Sequence, residues 1–306
     1  MVWLALAFLS AVFLGVYDAL KKQALKGNAV IPVLFLNTLL CSLIFLPCIV
    51  LSSRTDMLDG TILHVGQGGW EVHRYIVLKS VIVLSSWVLG YYGMKHLPLT
   101  IVGPINATRP VMVLIGALLL FGERLNEWQW VGVLLAVVSF YLLSHSGKKE
   151  GIDFRHDHWI YMIVGAAMLG ALNGLYDKYL MAPVAEGGVG LDRMMVQSWY
   201  NIYQCIMMLL MMLIWWKSER MVSHTFRWSW AIVGVSVFLS AADFLYFYAL
   251  SLPSAMISIV SMVRRGSVVV SFLCGALFFH EKNLKAKAFD MALVLLGMIC
   301  LYIGSR

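Results

Sequence analysis

Gly15-Val16-Tyr17-Asp18 lies in the first apolar run of this 306-residue chain, and Gly174-Leu175-Tyr176-Asp177 repeats it 159 residues later. Other stretches repeat in the same order. Leu97-Pro98 and Leu252-Pro253 each open an apolar run, and eleven residues after each proline stands an arginine, Arg109 and Arg264. The first of these runs closes on Gly116-Ala117-Leu118-Leu119-Leu120-Phe121-Gly122-Glu123-Arg124-Leu125. The second closes on Gly275-Ala276-Leu277-Phe278-Phe279-His280-Glu281-Lys282-Asn283-Leu284. One such match is chance-level. Four in one order mark an internal duplication.

Composition fixes the solvent. Hydrophobic residues make up 61% of the chain, against roughly 45–50% in a soluble domain. That is about 187 residues, close to the 200 that ten spans of ~20 residues require. Charged residues are 13%, half the usual quarter. A soluble protein of this size cannot hide so much apolar surface, so soluble enzymes, nucleic-acid binders and secreted disulfide scaffolds are excluded. The net charge of +7 is read as basic loops that set orientation, not as a nucleic-acid footprint. Cys41, Cys48, Cys205, Cys274 and Cys300 all sit inside apolar runs without C-x-x-C spacing, which predicts lipid-buried or core thiols and no metal site. The start of the chain has no basic n-region and reads as a retained first helix, not a cleaved signal.

Apolar runs fall at about 2–25, 30–52, 74–95, 98–121 and 127–145, then at 159–181, 193–216, 228–250, 253–279 and 285–304. Runs this long and continuous are helices, because barrel strands would alternate with period two. The expected fold is an all-α integral membrane protein with ten transmembrane helices in two five-helix repeats. The repeats occupy 1–146 and 159–306, joined by a polar linker at 147–158. Five is odd, so the second repeat enters the bilayer inverted. Inverted repeats place a binding site near the midplane and give alternating access by rocking. The duplication therefore argues for transport.

Gly122-Glu123-Arg124-Leu125 at the end of the fourth run, followed by Trp128-Gln129-Trp130-Val131-Gly132-Val133-Leu134-Leu135, resembles the signature of EamA-type carriers of the drug/metabolite transporter superfamily. The second copy is weaker: His280-Glu281-Lys282-Asn283 replaces Gly-Glu-Arg-Leu, and Asp290 stands where Gly132 stands. The resemblance implies a ten-helix carrier in a bacterial plasma (inner) membrane with both termini cytoplasmic. It leaves the cargo open among amino acids, drugs, nucleotide sugars and other metabolites. The Lys/Arg distribution disagrees on orientation. Most basic residues, among them Lys26, Lys148, Lys149 and Lys285, fall on the face away from the termini, which by the positive-inside rule places the termini outside.

An ionised side chain at the bilayer centre costs at least ~2.5–3.5 kcal/mol, so such residues face a cavity or a partner. Arg109, Arg264 and Arg265 stand about twelve residues into their runs, at mid-depth. Ser254, Ser258, Ser261 and Arg265 form one stripe at spacings of 4, 3 and 4, and Gly103, Asn106 and Arg109 recur every three residues. The expected role is substrate binding, with the arginines holding an anionic group such as a carboxylate; the alternative is structural pairing with aspartates. Repeat alignment makes Arg264 the mate of Arg109, whereas the serine stripe favours Arg265. Asp18 and Asp177 are candidate proton carriers, but Lys21 and Lys22 share a helix face with Asp18 and could hold it as a salt bridge. Asp243 is a third buried carboxylate, a candidate partner for an arginine.

Aromatic residues cluster at Trp87, Tyr91 and Tyr92, at Trp199, Tyr200 and Tyr203, and at Tyr246, Phe247 and Tyr248. Many are belt residues; Trp199 and Tyr203 are taken as pocket candidates, with Asn37, Asn201 and Gln204 as further polar contributors. The eighteen methionines read as pliable packing. Glu123 and Glu281, at helix ends, are expected to be structural.

No H-E-x-x-H, P-loop or G-x-S-x-G occurs, so an enzyme is not expected and no cofactor is implied. A membrane-embedded transferase is the rival from another class. The reading is a secondary transporter, expected to export small amphipathic metabolites such as amino acids or drug-like compounds and possible to couple to protons. The second transport reading is an exchanger of organic phosphates or nucleotide sugars. Its partners are a small-molecule substrate and the lipid bilayer, with no nucleic acid; oligomeric state is not readable.

Overall fold

The computed structural model describes residues 2–109, 111–112, 126–148, 154, 156–181, 183–221, 226–252, 260, 263–279, 281 and 284–304. Within them the first half forms α1 (Val2–Leu25), α2 (Val30–Arg54), α3 (Trp70–His96), α4 (Leu99–Ala107) and α5 (Glu127–Lys148). The second half forms α6 (His158–Met181), α7 (Arg193–Met221), α8 (Trp230–Ser251), α9 (Ser267–Phe278) and α10 (Leu284–Gly304). No strand occurs among the described residues. Helices α1, α2, α3, α6, α8 and α10 are long and apolar enough to cross a bilayer.

These segments are helical because a chain in lipid must satisfy its backbone internally. Their outward faces are apolar: Leu43, Leu78, Leu172, Leu209 and Leu296 are exposed. Exposed tryptophans stand at or near helix starts, Trp70 on α3, Trp128 and Trp130 on α5, Trp228 and Trp230 around α8, where an indole ring suits the headgroup region.

Each half packs mainly on the other. The principal partners are α1 with α8, α3 with α6, α2 with α7, α4 with α9 and α5 with α10. Four of these seams carry the same bond, a buried serine hydroxyl donating to a backbone carbonyl of the facing helix. They are Ser10 to Ala242 (2.6 Å), Ser86 to Ala166 (2.8 Å), Ser42 to Asn201 (2.8 Å) and Ser139 to Asp290 (2.6 Å). Such bonds contribute about 0.6 kcal/mol each on average between membrane helices. Polar groups therefore set the register where lipid and side chain are equally apolar.

Glu281 joins the halves at one end. Its carboxylate accepts the N–H of Leu99 (2.7 Å) and Thr100 (2.8 Å) and the Thr100 hydroxyl. It thus caps the positive N-terminus of α4, the structural role expected of it; Glu123 lies outside the described residues. Lys22 does the converse, donating to Met94 O (2.7 Å) and Leu97 O at the end of α3.

The α1–α9 crossing is close because Gly15 has no side chain. A Cβ there would stand 2.4 Å from Val270 Cβ and 2.8 Å from Ser267 O, which is backbone. Gly15→Ala is therefore expected to force the two helices apart and cost on the order of 1–3 kcal/mol through overpacking. A lowered melting temperature in detergent checks this; an unchanged one contradicts the crossing.

Candidate functional site

Helix α4 is short, with Pro104 inside it and a turn at Thr108 immediately before Arg109. A matching turn at Gly266 separates Arg264 and Arg265 from α9. Both breaks interrupt the helical ladder beside the arginines, the arrangement that carriers tolerate only where the backbone lines a protected space.

That space is a cavity of about 230 Å³ lined from both halves. Its polar wall comprises Asp18 and Lys21 of α1, Lys79 of α3, Asn106 and Arg109 at the end of α4, and Asn173 and Asp177 of α6. Asp243 of α8, the turn carrying Arg264 and Arg265, and Ser271 of α9 complete it. Trp87, Tyr91, Tyr246 and Phe247 supply aromatic surface.

Three ion pairs occupy this wall. Lys21 Nζ lies 3.0 Å from Asp18 Oδ1, while Ser271 Oγ donates to Asp18 Oδ2 at 3.0 Å. Lys79 pairs with Asp177 and donates to Asn173 Oδ1 at 3.1 Å; Asn173 Nδ2 donates to Asp177 Oδ2, also at 3.1 Å. Arg264 pairs with Asp243, whose second oxygen accepts the Tyr200 hydroxyl at 3.0 Å. Each of these cations also faces a tyrosine ring: Lys21 over Tyr17 at 4.4 Å, Lys79 over Tyr200 at 5.0 Å, Arg264 over Tyr246 at 4.1 Å. Ring faces and carboxylates together replace the water these groups lose.

Two cations are left over. Arg109 donates from Nη2 to Asn106 Oδ1 (2.9 Å), and its Nε is buried without a hydrogen-bond partner among the described residues. Arg265 lines the same cavity. Neither pairs with a carboxylate among the described residues. Among the described residues, five cations against three carboxylates leave the wall at a net +2.

Gly170 of α6 makes room for Arg109. A Cβ at that position would stand 2.8 Å from the Arg109 Cζ and Nη1. Gly170→Ala should push the guanidinium off its seat while leaving the backbone alone, because the atoms it meets are the far end of a flexible side chain. Ligand affinity is expected to fall about tenfold, roughly 1.4 kcal/mol, with an unchanged melting temperature. Full affinity in that variant would show the seat to be irrelevant.

The two halves thus bring together Asp18, Asn106, Arg109, Asp177, Arg264 and Arg265. Ser258 and Ser261 lie outside the described residues. Trp199 and Tyr203 are not part of the cavity wall; they pack with His73, whose Nδ1 lies 2.9 Å from the Tyr203 hydroxyl. Asn37 supports the wall from behind, donating to the Tyr91 hydroxyl (3.1 Å) and accepting from Ser236 Oγ (2.9 Å). Sequence reasoning missed Lys79 as a site residue. It is the only charged residue in the interior of α3, which was signal enough.

Residues 1–145 match the model of the EamA-like transporter family. No curated protein matches the chain. A solved structure described as "Crystal structure of protein" has a TM-score of 0.64 at 13% identity, covering 98% of this chain and 96% of that one. At that identity the likeness is one of fold. The family match and the long apolar helices make the chain an integral multi-pass membrane protein.

Proposed function

From the premise that residues 1–145 belong to the EamA-like transporter family, a family of membrane transporters, we propose that the chain is a secondary carrier. On this reading it moves small metabolites bearing an anionic group, held between the arginines of two inverted five-helix repeats. The carrying observation is the cavity itself, with two guanidinium groups lacking a carboxylate partner among the described residues. The pairing of helices supports the inverted repeats. Exchanging first-half and second-half helices turns α1–α8 into α6–α3, α2–α8 into α7–α3 and α1–α9 into α6–α4, and all of these contacts are present.

Charge decides between classes of cargo. Cationic drugs would meet a wall that is already positive. An amino-acid ammonium would need a free carboxylate, and Asp18, Asp177 and Asp243 each already hold a cation. Size argues further: about 230 Å³ falls below the ~300–1,000 Å³ usual for drug-sized ligands, so a nucleotide sugar is too large for the cavity as it stands. Small carboxylates and small organic phosphates fit, the latter through planar guanidinium forks. Salt-bridged Asp18 and Asp177 suit fixed charges better than proton carriers, so transport is expected to run without a pH gradient.

Uptake into proteoliposomes tests this with labelled alanine, succinate, glycerol phosphate and a quaternary amine. Movement of an anionic probe is the expected result. If only the amine moves, the arginines are not binding substrate.

A further inference from the structure

We propose that the unneutralised charge of the empty cavity makes this carrier an obligate exchanger of small organic dianions. The inference rests on the carrier reading above and concerns how the same site is regulated by its own charge.

Alternating access requires the cavity to close to both aqueous faces before it opens to the other. In an occluded empty cavity, three of the five cations keep their carboxylates: Lys21 with Asp18, Lys79 with Asp177, Arg264 with Asp243. Arg109 keeps the Asn106 amide oxygen, and neither it nor Arg265 keeps a carboxylate among the described residues. Water solvates both while the cavity is open, and closure removes it. One central arginine without compensation shifts an equilibrium on the order of 100-fold against burial. Two such groups in a space of about 230 Å³ also repel each other.

A bound dianion removes both costs. A phosphate monoester carries about −1.5 to −2 charges at neutral pH, matching the net +2, and accepts from both guanidinium forks. The loaded carrier then occludes as a near-neutral unit, while the empty one stays on the face where it released its cargo. Return requires another anion. A monocarboxylate leaves one guanidinium uncompensated and exchanges more slowly than a dianion of similar size.

The test uses the purified full-length chain in proteoliposomes, with labelled succinate, glycerol phosphate, lactate and alanine outside. The lumen contains either the same unlabelled compound or none. Uptake of a dianion is expected to be at least about tenfold faster into loaded vesicles than into empty ones, a modest fraction of the ~100-fold burial effect. Lactate should show slower exchange. Arg265→Gln lowers the cavity charge to +1 and should reduce the loaded-to-empty ratio below about threefold, whereas Arg265→Lys should keep it. The ratio does not depend on how much carrier folds or inserts. Equal dianion uptake into loaded and empty vesicles overturns the exchange requirement and leaves the carrier reading standing. Movement of alanine alone, indifferent to loading, overturns the exchange requirement and the anion selectivity together, leaving carrier activity alone. If no compound moves in any vesicle, the carrier reading fails and the inference fails with it.

Discussion

Arg109→Gln is expected to weaken binding of the transported anion by on the order of 100-fold, about 2.7 kcal/mol. The guanidinium is only partly committed: one nitrogen donates to Asn106 Oδ1, and Nε is buried with no hydrogen-bond partner among the described residues. Glutamine keeps much of the side chain's bulk but loses the charge and the fork. Lysine at the same position restores the charge without the fork and should recover only part of the affinity. Titration of the anion found by uptake, followed by calorimetry, reads both variants. An Arg109→Gln protein that binds within threefold of the parent would place the anion elsewhere.

The second large effect is on stability. Lys79 is 3% exposed and Asp177 14%, so Asp177→Asn leaves a buried ammonium facing amide oxygens and the Tyr200 ring, with no carboxylate on it among the described residues. Removing one partner of a buried pair costs about 3–5 kcal/mol, because the remaining charge has lost its compensation. Melting in detergent should fall by more than about 5 °C. Adding Lys79→Met to Asp177→Asn should recover most of that loss, since it removes the uncompensated charge and leaves Asn173 to bond the new amide. A double variant no more stable than the single one would mean that Asp177 acts on something other than Lys79.

Much of this molecule is legible in the sequence. The apolar runs mark the helices because a chain in lipid has few alternatives. The repeated Tyr-Asp and Pro-to-Arg spacings bring Asp18, Asp177, Arg109 and Arg264 into one list, and the cavity collects all four. Depth in the bilayer is readable from position along a run. Which face of a helix meets the cavity is not. Trp199 and Tyr203 have the right depth and chemistry, yet pack with His73, because an aromatic cluster carries no direction. Arg264 and Arg265 are adjacent and only three dimensions separate them: Asp243 takes the first and leaves the second open. Lys79 stands in the interior of α3, but its role is set by Asp177, a partner 98 residues away that no local spacing reveals.

The serine-to-carbonyl bonds on four seams fix the register of helices whose outer faces are apolar. Such seams can slide without exposing apolar surface to water, which suits the rocking proposed for the two halves.

The most direct test of the central claim is a pair of distances measured by double electron–electron resonance in nanodiscs. One pair of spin labels goes on Arg54 and Val184, exposed residues of the first and second halves at one end of the bundle; the other goes on Lys26 and Arg227, the corresponding pair at the opposite end. Alternating access predicts that saturating anion changes the two distances in opposite directions, one end closing as the other opens. Distances that stay fixed, or that shorten together, would contradict a carrier built from two rocking repeats.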